Sequence, residues 1–281
     1  MKKILYLLFA TALICLSSCT SIDNWDEPGC TFYGTVTDSY TGEPLLSSQN
    51  DWQIRIWERS WTGHENGATT QQDLRIKQDG TYQNTKLFAG TYDMLPYDGP
   101  FWPMDTLKGV KLSGSTKQDF TVTPYLQIID FETELGTWDF GTKEAPKVGP
   151  SLTLYCRVKA PRRDGLANIY DVQAFISRTV FCGNGTDSKI DISAYRDNVN
   201  DNADTEFDER GTKGKIEIRR SWVDAWKWIS PSWTESDTSP RVRIGPLPVL
   251  SGYTYYVRMG ANTNVGNRRF NYSPIKTVVV Q

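Results

Sequence analysis

The chain has 281 residues, which is enough for two domains of ordinary size. It is 38% hydrophobic and 12% aromatic, so it can build packed cores, while its mean hydropathy of -0.48 excludes a polytopic membrane protein. The formal net charge is -2 and no basic tract is present, which makes nucleic acid a poor candidate partner.

The N-terminus has the pattern of a bacterial lipoprotein signal. Met1-Lys2-Lys3 is basic, residues 4–16 form an apolar run too short to span a membrane, and Leu16-Ser17-Ser18-Cys19 matches the lipobox. The pattern predicts a signal peptide over residues 1–18, diacylation of Cys19 and a lipid-anchored linker over residues 19–29. Ordinary secretion is the alternative.

The residues after Cys19 predict where the protein is sorted. Thr20 stands where Asp would retain a lipoprotein in the inner membrane, so the outer membrane is favoured. The acidic residues Asp23, Asp26 and Glu27 resemble the surface-export signal of Bacteroidota lipoproteins. We therefore expect an outer-membrane protein that faces the exterior and is attached by lipid.

Apolar and polar residues alternate along the rest of the chain, with turn residues about every ten positions. This pattern predicts an all-β protein with two antiparallel β-sandwich domains in tandem, over residues 30–124 and 125–281. In the first block, residues 30–38 (CTFYGTVTD) and 52–57 (WQIRIW) are typical strands, and Asp79-Gly80 is a hairpin signal.

The strand over residues 52–57 has two distinct faces. Trp52 alternates in phase with Ile54 and Ile56, which indicates a core position, whereas Trp57 shares the opposite face with Arg55. The second block offers seven further strands, whose segments begin at residues 125, 151, 170, 214, 240, 252 and 271.

Three cysteines remain after the leader and the anchor, so at most one disulfide is possible. Cys156 shares the inward phase of Leu154 and Val158, and Cys182 continues that of Ala174 and Ile176. Two buried, inert thiols are favoured over a bridge.

Two segments resemble known families. Residues 34–45 (GTVTDSYTGEPL) and 79–94 (DGTYQNTKLFAGTYDM) resemble the carboxypeptidase-regulatory-like, transthyretin-type sandwich. Residues 250–262 (LSGYTYYVRMGAN) resemble the sixth strand of a fibronectin type III domain, an immunoglobulin-like fold. That resemblance makes Tyr255 a tyrosine corner, followed inward by Val257 and Met259.

The lipobox and the two domains in this order resemble a family of Bacteroidota surface lipoproteins from polysaccharide-utilisation loci. Members are encoded beside SusC-like transporters and SusD-like binding proteins. By analogy with the SusE and SusF lipoproteins, the resemblance implies glycan binding at the cell surface, although neither sandwich dictates a function.

Catalysis and metal binding have little support in the sequence. His64 is the one histidine, no G-x-S-x-G motif occurs, and two small sandwiches leave little room for the deep cleft of a glycosidase. No CxxC pair occurs either, and the acidic segment 196–211 fits a calcium loop poorly because Ala203 stands where glycine is needed. We predict no catalytic residue, no metal and no cofactor; a solvated loop at 196–211 is favoured over calcium binding.

Tryptophan is the residue type that points to a ligand. Indole rings stack on the C–H faces of sugars when they stand on loops or on the outer face of a strand. Residues 221–233 (SWVDAWKWISPSW) hold four tryptophans, of which Trp222 shares the inward phase of Ile216 and Ile218. The candidate glycan-stacking residues are Trp226, Trp228, Trp233, Trp61, Trp102 and Trp57.

Each of these side chains has an alternative role, which is to cover a sheet edge, the contact between domains or a protein interface. The predicted function is non-catalytic binding or presentation of an oligo- or polysaccharide for a SusC/SusD-like uptake system. A structural subunit of the transporter assembly is the first alternative, and a glycan-active enzyme is the second.

Overall fold

A computed structural model describes residues 27–60, 71–141, 144–167, 169–185, 237–239 and 241–281. These residues contain fifteen strands and no helix, which confirms the predicted all-β class. None of them forms a helix long and apolar enough to cross a bilayer. The strands are β1 (Cys30–Asp38), β2 (Gln53–Glu58), β3 (Gln71–Arg75), β4 (Thr81–Leu87), β5 (Gly90–Tyr97), β6 (Leu107–Leu112), β7 (Ser115–Lys117), β8 (Phe120–Val122), β9 (Gln127–Asp139), β10 (Val148–Lys159), β11 (Ile169–Ser177), β12 (Val242–Pro248), β13 (Tyr253–Thr263), β14 (Phe270–Tyr272) and β15 (Lys276–Val280).

Strands β1–β8 form two facing sheets. One sheet has the order β3-β2-β5-β6, and in the other β4 and β7 flank β1, with β8 also paired to β1. The pairings of β1 with β7 and β8 are parallel, so this sheet is mixed, whereas the sequence predicts antiparallel pairing. The chain enters β7 from the opposite sheet, so no hairpin fixes the direction of β7 relative to β1.

The core between these two sheets follows the predicted alternation. Trp52, Ile54 and Ile56 are fully buried, while Trp57 points to the outer face and is half-buried. The ring of Trp52 packs edge-on against Phe101 at 5.1 Å.

The Asp79-Gly80 signal marks a tight turn, but the turn does not join two paired strands. The amide of Lys77 donates to the carbonyl oxygen of Thr81 at 2.8 Å, and Gly80 adopts a φ of +81°, which glycine allows without strain. However, β3 pairs with β2 and β4 pairs with β1, so the turn carries the chain from one sheet to the other.

Strands β9–β15 form a second pair of sheets, ordered β12-β10-β9 and β11-β13-β14, with β15 also paired to β13. Tyr255, Val257 and Met259 are buried between them, as the resemblance to a fibronectin type III strand implies. The Tyr255 hydroxyl accepts a hydrogen bond from the amide of Leu250 at 2.9 Å, and this fixes the turn before β13. Cys156 is fully buried in the same core.

Candidate functional site

The sheets of β1–β8 meet those of β9–β15 along a contact that we call the seam. An apolar cluster of Phe175, Cys182, Phe270 and Tyr272 lies on the face of β11-β13-β14 that is turned away from the second core, and Leu46 from the first pair of sheets packs against it. The ring of Phe175 meets that of Phe270 edge-on at 5.2 Å. The seam is therefore a buried third core.

A buried arginine binds the two sides of the seam together. Arg258 on β13 is 1% exposed, and its guanidinium lies 3.6 Å from the ring centroid of Tyr272. It donates from Nη2 to the carbonyl oxygen of Ser47 at 2.9 Å and from Nη1 to that of Cys182 at 3.1 Å. Burial lowers the pKa of Arg258 to about 10, which still leaves it charged at neutral pH.

A second arginine forms ion pairs with two carboxylates across the seam. Arg269 contacts Oδ1 of Asp51 at 3.3 Å and Oδ2 of Asp98 at 2.8 Å. Burial raises the pKa of Asp51 to about 6, although the charges of Arg269 and Arg258 and a hydrogen bond with Tyr272 oppose the rise.

The seam opens on one side into a groove with a volume of about 870 Å³. This volume lies within the range of small-ligand sites, which often form where domains meet. The loop after Pro44, the turn over residues 76–79, the segment after β11 and the link between β14 and β15 supply its walls. The apolar part of the wall consists of Pro44, Leu46, Ile76, Phe181, Pro274 and Ile275.

Phe181 is the aromatic residue of this wall, and its side chain is 49% exposed. The amide of Gln78 fixes the backbone on both sides of it. Nε2 of Gln78 donates to the carbonyl oxygen of Val180 at 2.9 Å, and Oε1 accepts from the amide of Cys182 at 2.9 Å. The backbone that carries the ring is thus held by a side chain from the opposite side of the seam.

Polar groups of both signs surround the apolar wall. Burial alone would raise the pKa of Asp79, but hydrogen bonds from the hydroxyl and amide of Thr81 lower it below its usual value, so Asp79 is ionised. The groove therefore offers a ring and aliphatic surface beside hydrogen-bonding groups. The polar residues of the rim are Glu43, Gln49, Asn50, Arg75, Lys77, Gln78 and Asp79.

A smaller cavity of about 280 Å³ also lies along the seam, at the end of β5. Tyr97, Pro103 and Met104 line it from the first pair of sheets, and Asn267 lines it from the second. Nδ2 of Asn267 donates to Oδ2 of Asp98 at 2.6 Å, so a hydrogen bond across the seam joins two of the residues that line this cavity.

Trp57 and Trp102 are the predicted stacking residues that lie within the described part of the chain. Trp57 stands on the outer face of the β3-β2-β5-β6 sheet, opposite Gln71 and Asp93. Neither Trp57 nor Trp102 lines the groove. A stacking role for Trp57 stays a prediction.

Trp102 lies at the seam and packs against the second core. Its ring meets that of Tyr125 edge-on at 5.3 Å, and the guanidinium of Arg162 lies 4.2 Å from its centroid. Its Nε1 is buried and has no hydrogen-bond partner among the described residues. The structure thus gives Trp102 a packing role between the halves; glycan stacking by this residue also stays a prediction.

The remaining predicted sites lie outside the described residues. They are the lipidated Cys19, the acidic segment 196–211, and the stacking candidates Trp61, Trp226, Trp228 and Trp233. Within the described ranges, no group of three or more His, Cys, Asp or Glu side chains is placed to hold a metal ion.

The groove itself was missed by the sequence analysis. Phe181 follows β11 in a segment without periodicity, and the alternation of β13 places Arg258 on a face that reads as solvent-exposed. A signal was available in the large apolar side chains of Phe175 and Tyr272, which indicate that this sheet has a second buried face.

Comparisons with known proteins give a match to one family model. Residues 30–123 match the model described as "Protein of unknown function (DUF3823) N-terminal domain". This range nearly coincides with the segment that resembles the carboxypeptidase-regulatory-like sandwich. The search of curated proteins gave no match.

Three solved structures share the fold across most of the chain, each matching 90% of this chain and 100% of the other. A Bacteroides uniformis protein, described as proposed to bind carbohydrate, is 22% identical with a TM-score of 0.58. A DUF3823 family protein from Bacteroides uniformis is 23% identical with a TM-score of 0.56. Another from Parabacteroides merdae is 19% identical with a TM-score of 0.55. At these identities the likeness establishes the fold alone.

Proposed function

We propose that this protein binds a glycan in the groove at the seam and does not cleave it. The observation that carries the proposal is the groove wall, where the half-exposed ring of Phe181 stands beside aliphatic surface and is surrounded by amide and charged groups. Sugars present C–H faces to rings and hydroxyls to polar side chains, and this wall provides for both.

The similarity to the Bacteroides uniformis protein described as proposed to bind carbohydrate supports the same function. One of the two carboxylates on the rim, Asp79, is unsuited to the acid step of cleavage. A glycosidase needs a carboxylic acid whose pKa is raised so that it can donate a proton, whereas Asp79 on the groove has a lowered pKa.

The cellular setting is part of the proposal. Diacylation of Cys19 would anchor the chain in the outer membrane with the groove facing the exterior, where it would present a glycan to a SusC/SusD-like uptake system. Metabolic labelling with palmitate, compared with a Cys19→Ala variant, tests the anchor. Protease digestion of intact cells tests the orientation; a chain protected from the protease would contradict surface exposure.

Affinity gel electrophoresis on a panel of polysaccharides, followed by calorimetry, tests glycan binding. Loss of a ring contact is worth about 0.5–1.5 kcal/mol, so Phe181→Ala should weaken binding about two- to tenfold. Tyr33→Ala is the matched control, because Tyr33 is an exposed aromatic residue on β1, in the opposite sheet from β3.

Three results would contradict the proposal. Retention on none of the polysaccharides would exclude glycan binding and would favour a structural subunit of the transporter assembly. Equal weakening by Phe181→Ala and Tyr33→Ala would exclude the groove as the site. Chromatographic analysis of the incubated glycans should show no shortened products; release of fragments would indicate an enzyme.

A further inference from the structure

Three side chains form a row across the outer face of the β3-β2-β5 sheet at its seam end. Gln53 is paired in register with Arg75 on one side and with Tyr97 on the other. Directly paired residues of neighbouring strands share a face, and two strand spacings amount to about 10 Å. This row, Arg75–Gln53–Tyr97, is short; its two ends are exposed and its middle member, Gln53, is buried beneath them.

The row joins the two cavities of the seam. Arg75 at one end also lines the groove, and Tyr97 at the other end also lines the smaller cavity. A ligand that leaves the groove at Arg75 therefore passes over the buried Gln53 and meets the ring of Tyr97 before it reaches the second cavity.

The members of the row are held in place before any ligand arrives. Nη1 of Arg75 donates to Oε1 of Gln53 at 2.6 Å, and Nε2 of Gln53 donates to Oδ2 of Asp73 at 3.2 Å. Asp73 in turn binds Nε and Nη2 of Arg55 at 2.8 and 3.1 Å. Fixed side chains lose little entropy on binding, which favours affinity.

The ring of Tyr97 has the geometry of a stacking platform. The guanidinium of Arg55 lies 3.7 Å from its centroid and covers one face, while the side chain remains 39% exposed. A ring supported from behind presents its remaining surface in a defined orientation, which a flat sugar face can use.

We infer that the ligand proposed for the groove is an extended oligosaccharide, which continues across the Arg75–Gln53–Tyr97 row into the smaller cavity; this inference rests on the proposed function. A peptide is the rival occupant, because β3 lies at the end of its sheet's strand order and can accept an added strand. Such a peptide would run along β3 and would not need the ring of Tyr97.

Chain length tests the inference. Calorimetry on the full mature chain would compare oligosaccharides of two and of six units prepared from starch, xylan, mannan and cellulose. We expect the six-unit form of the bound glycan to bind at least tenfold more tightly than the two-unit form. Tyr97→Leu should remove most of that gain and leave the two-unit affinity unchanged, while Phe181→Ala should weaken both.

Tyr97→Phe keeps the ring and should keep the length dependence, which separates loss of stacking from misfolding. Tyr33→Ala should change neither affinity. Equal affinities for the two lengths, or equal weakening of both by Tyr97→Leu, would overturn the extension while leaving the groove as a glycan site. Absence of binding for both lengths would overturn the proposed function and the extension together.

Discussion

Arg258 donates a hydrogen bond to the carbonyl oxygen of Ser47, 2.9 Å away in space and 211 positions earlier in the chain. The bond joins β13 of one pair of sheets to a loop of the other, in a region closed to water. The same guanidinium satisfies the carbonyl oxygen of Cys182. Two buried acceptors on different sides of the seam thus depend on one side chain.

Arg258→Met should therefore destabilise the whole chain. The methionine keeps apolar bulk but leaves both carbonyl groups without a donor, and loss of one partner from a buried charged network costs about 3 kcal/mol. Urea unfolding measures the change in the free energy of unfolding. Arg268→Met is the control, because Arg268 is exposed and stacks on Tyr170, so its loss should cost under about 1 kcal/mol. Equal losses for the two variants would contradict the buried role.

Asp51 should make the stability of the protein fall as pH rises through the weakly acidic range. Burial raises its pKa from 3.8 to about 6, so the folded chain binds this proton more tightly than the unfolded chain. Its stabilising contribution is complete below about pH 4 and is lost as pH rises to about 6, by about 3 kcal/mol at most.

Asp51→Asn isolates that contribution. The free energy of unfolding is measured for the wild type and the variant from pH 4 to pH 7, and the wild type should lose stability relative to the variant across this window. Asp119→Asn is the control, because Lys117 lowers the pKa of Asp119, so its contribution is complete above about pH 4 and the difference from the wild type should stay nearly constant across this window. A constant difference between wild type and Asp51→Asn would contradict the prediction.

Gln78→Ala should loosen the segment that carries Phe181. The substitution removes the acceptor for the amide of Cys182 and the donor to the carbonyl oxygen of Val180. Each of the two bonds contributes about 1 kcal/mol, so exchange of the Cys182 amide hydrogen should quicken by up to about thirtyfold. Gln83→Ala, at an exposed position on β4, should leave that rate unchanged. An unchanged rate in Gln78→Ala would show that the segment is held by other contacts.

Trp52 and Trp57 should differ sharply in their contribution to stability. Trp52→Ala leaves a cavity in the first core beside Phe101 and should cost about 3–5 kcal/mol. Trp57→Ala removes a half-buried side chain from the outer face and should cost about 1 kcal/mol. Urea unfolding of both variants measures the two losses in the free energy of unfolding. A larger loss for Trp57→Ala than for Trp52→Ala would contradict the observed burial of the two residues.

Local alternation was enough to predict most of the strands. It placed β1 at its observed ends, put Trp52 inward and Trp57 outward, and identified Cys156 as a core residue. The burial of Tyr255 was instead implied by the resemblance to a fibronectin type III strand. These features depend on period-two burial within one strand, which the sequence records directly.

Strand partners and the seam could not be predicted in the same way. The Asp79-Gly80 signal predicts a four-residue turn. It does not indicate whether the flanking strands pair with each other or belong to different sheets. Arg258 looks like a solvent-facing residue until the loop at Ser47 covers it. The groove arises from segments far apart in the chain, so no local pattern records it.

The contacts at the seam also affect whether either half of the chain can fold without the other. The amide of Leu126, at the junction, donates to Oδ1 of Asn271, and Nδ2 of Asn271 donates to the carbonyl oxygen of Pro100. A chain cut at this junction would leave each half with an uncovered apolar face and unsatisfied backbone groups. The halves are distinct in their sheets, but we expect neither to fold stably alone, because each covers an apolar face of the other. Truncation would therefore abolish both the groove and the solubility needed to assay it.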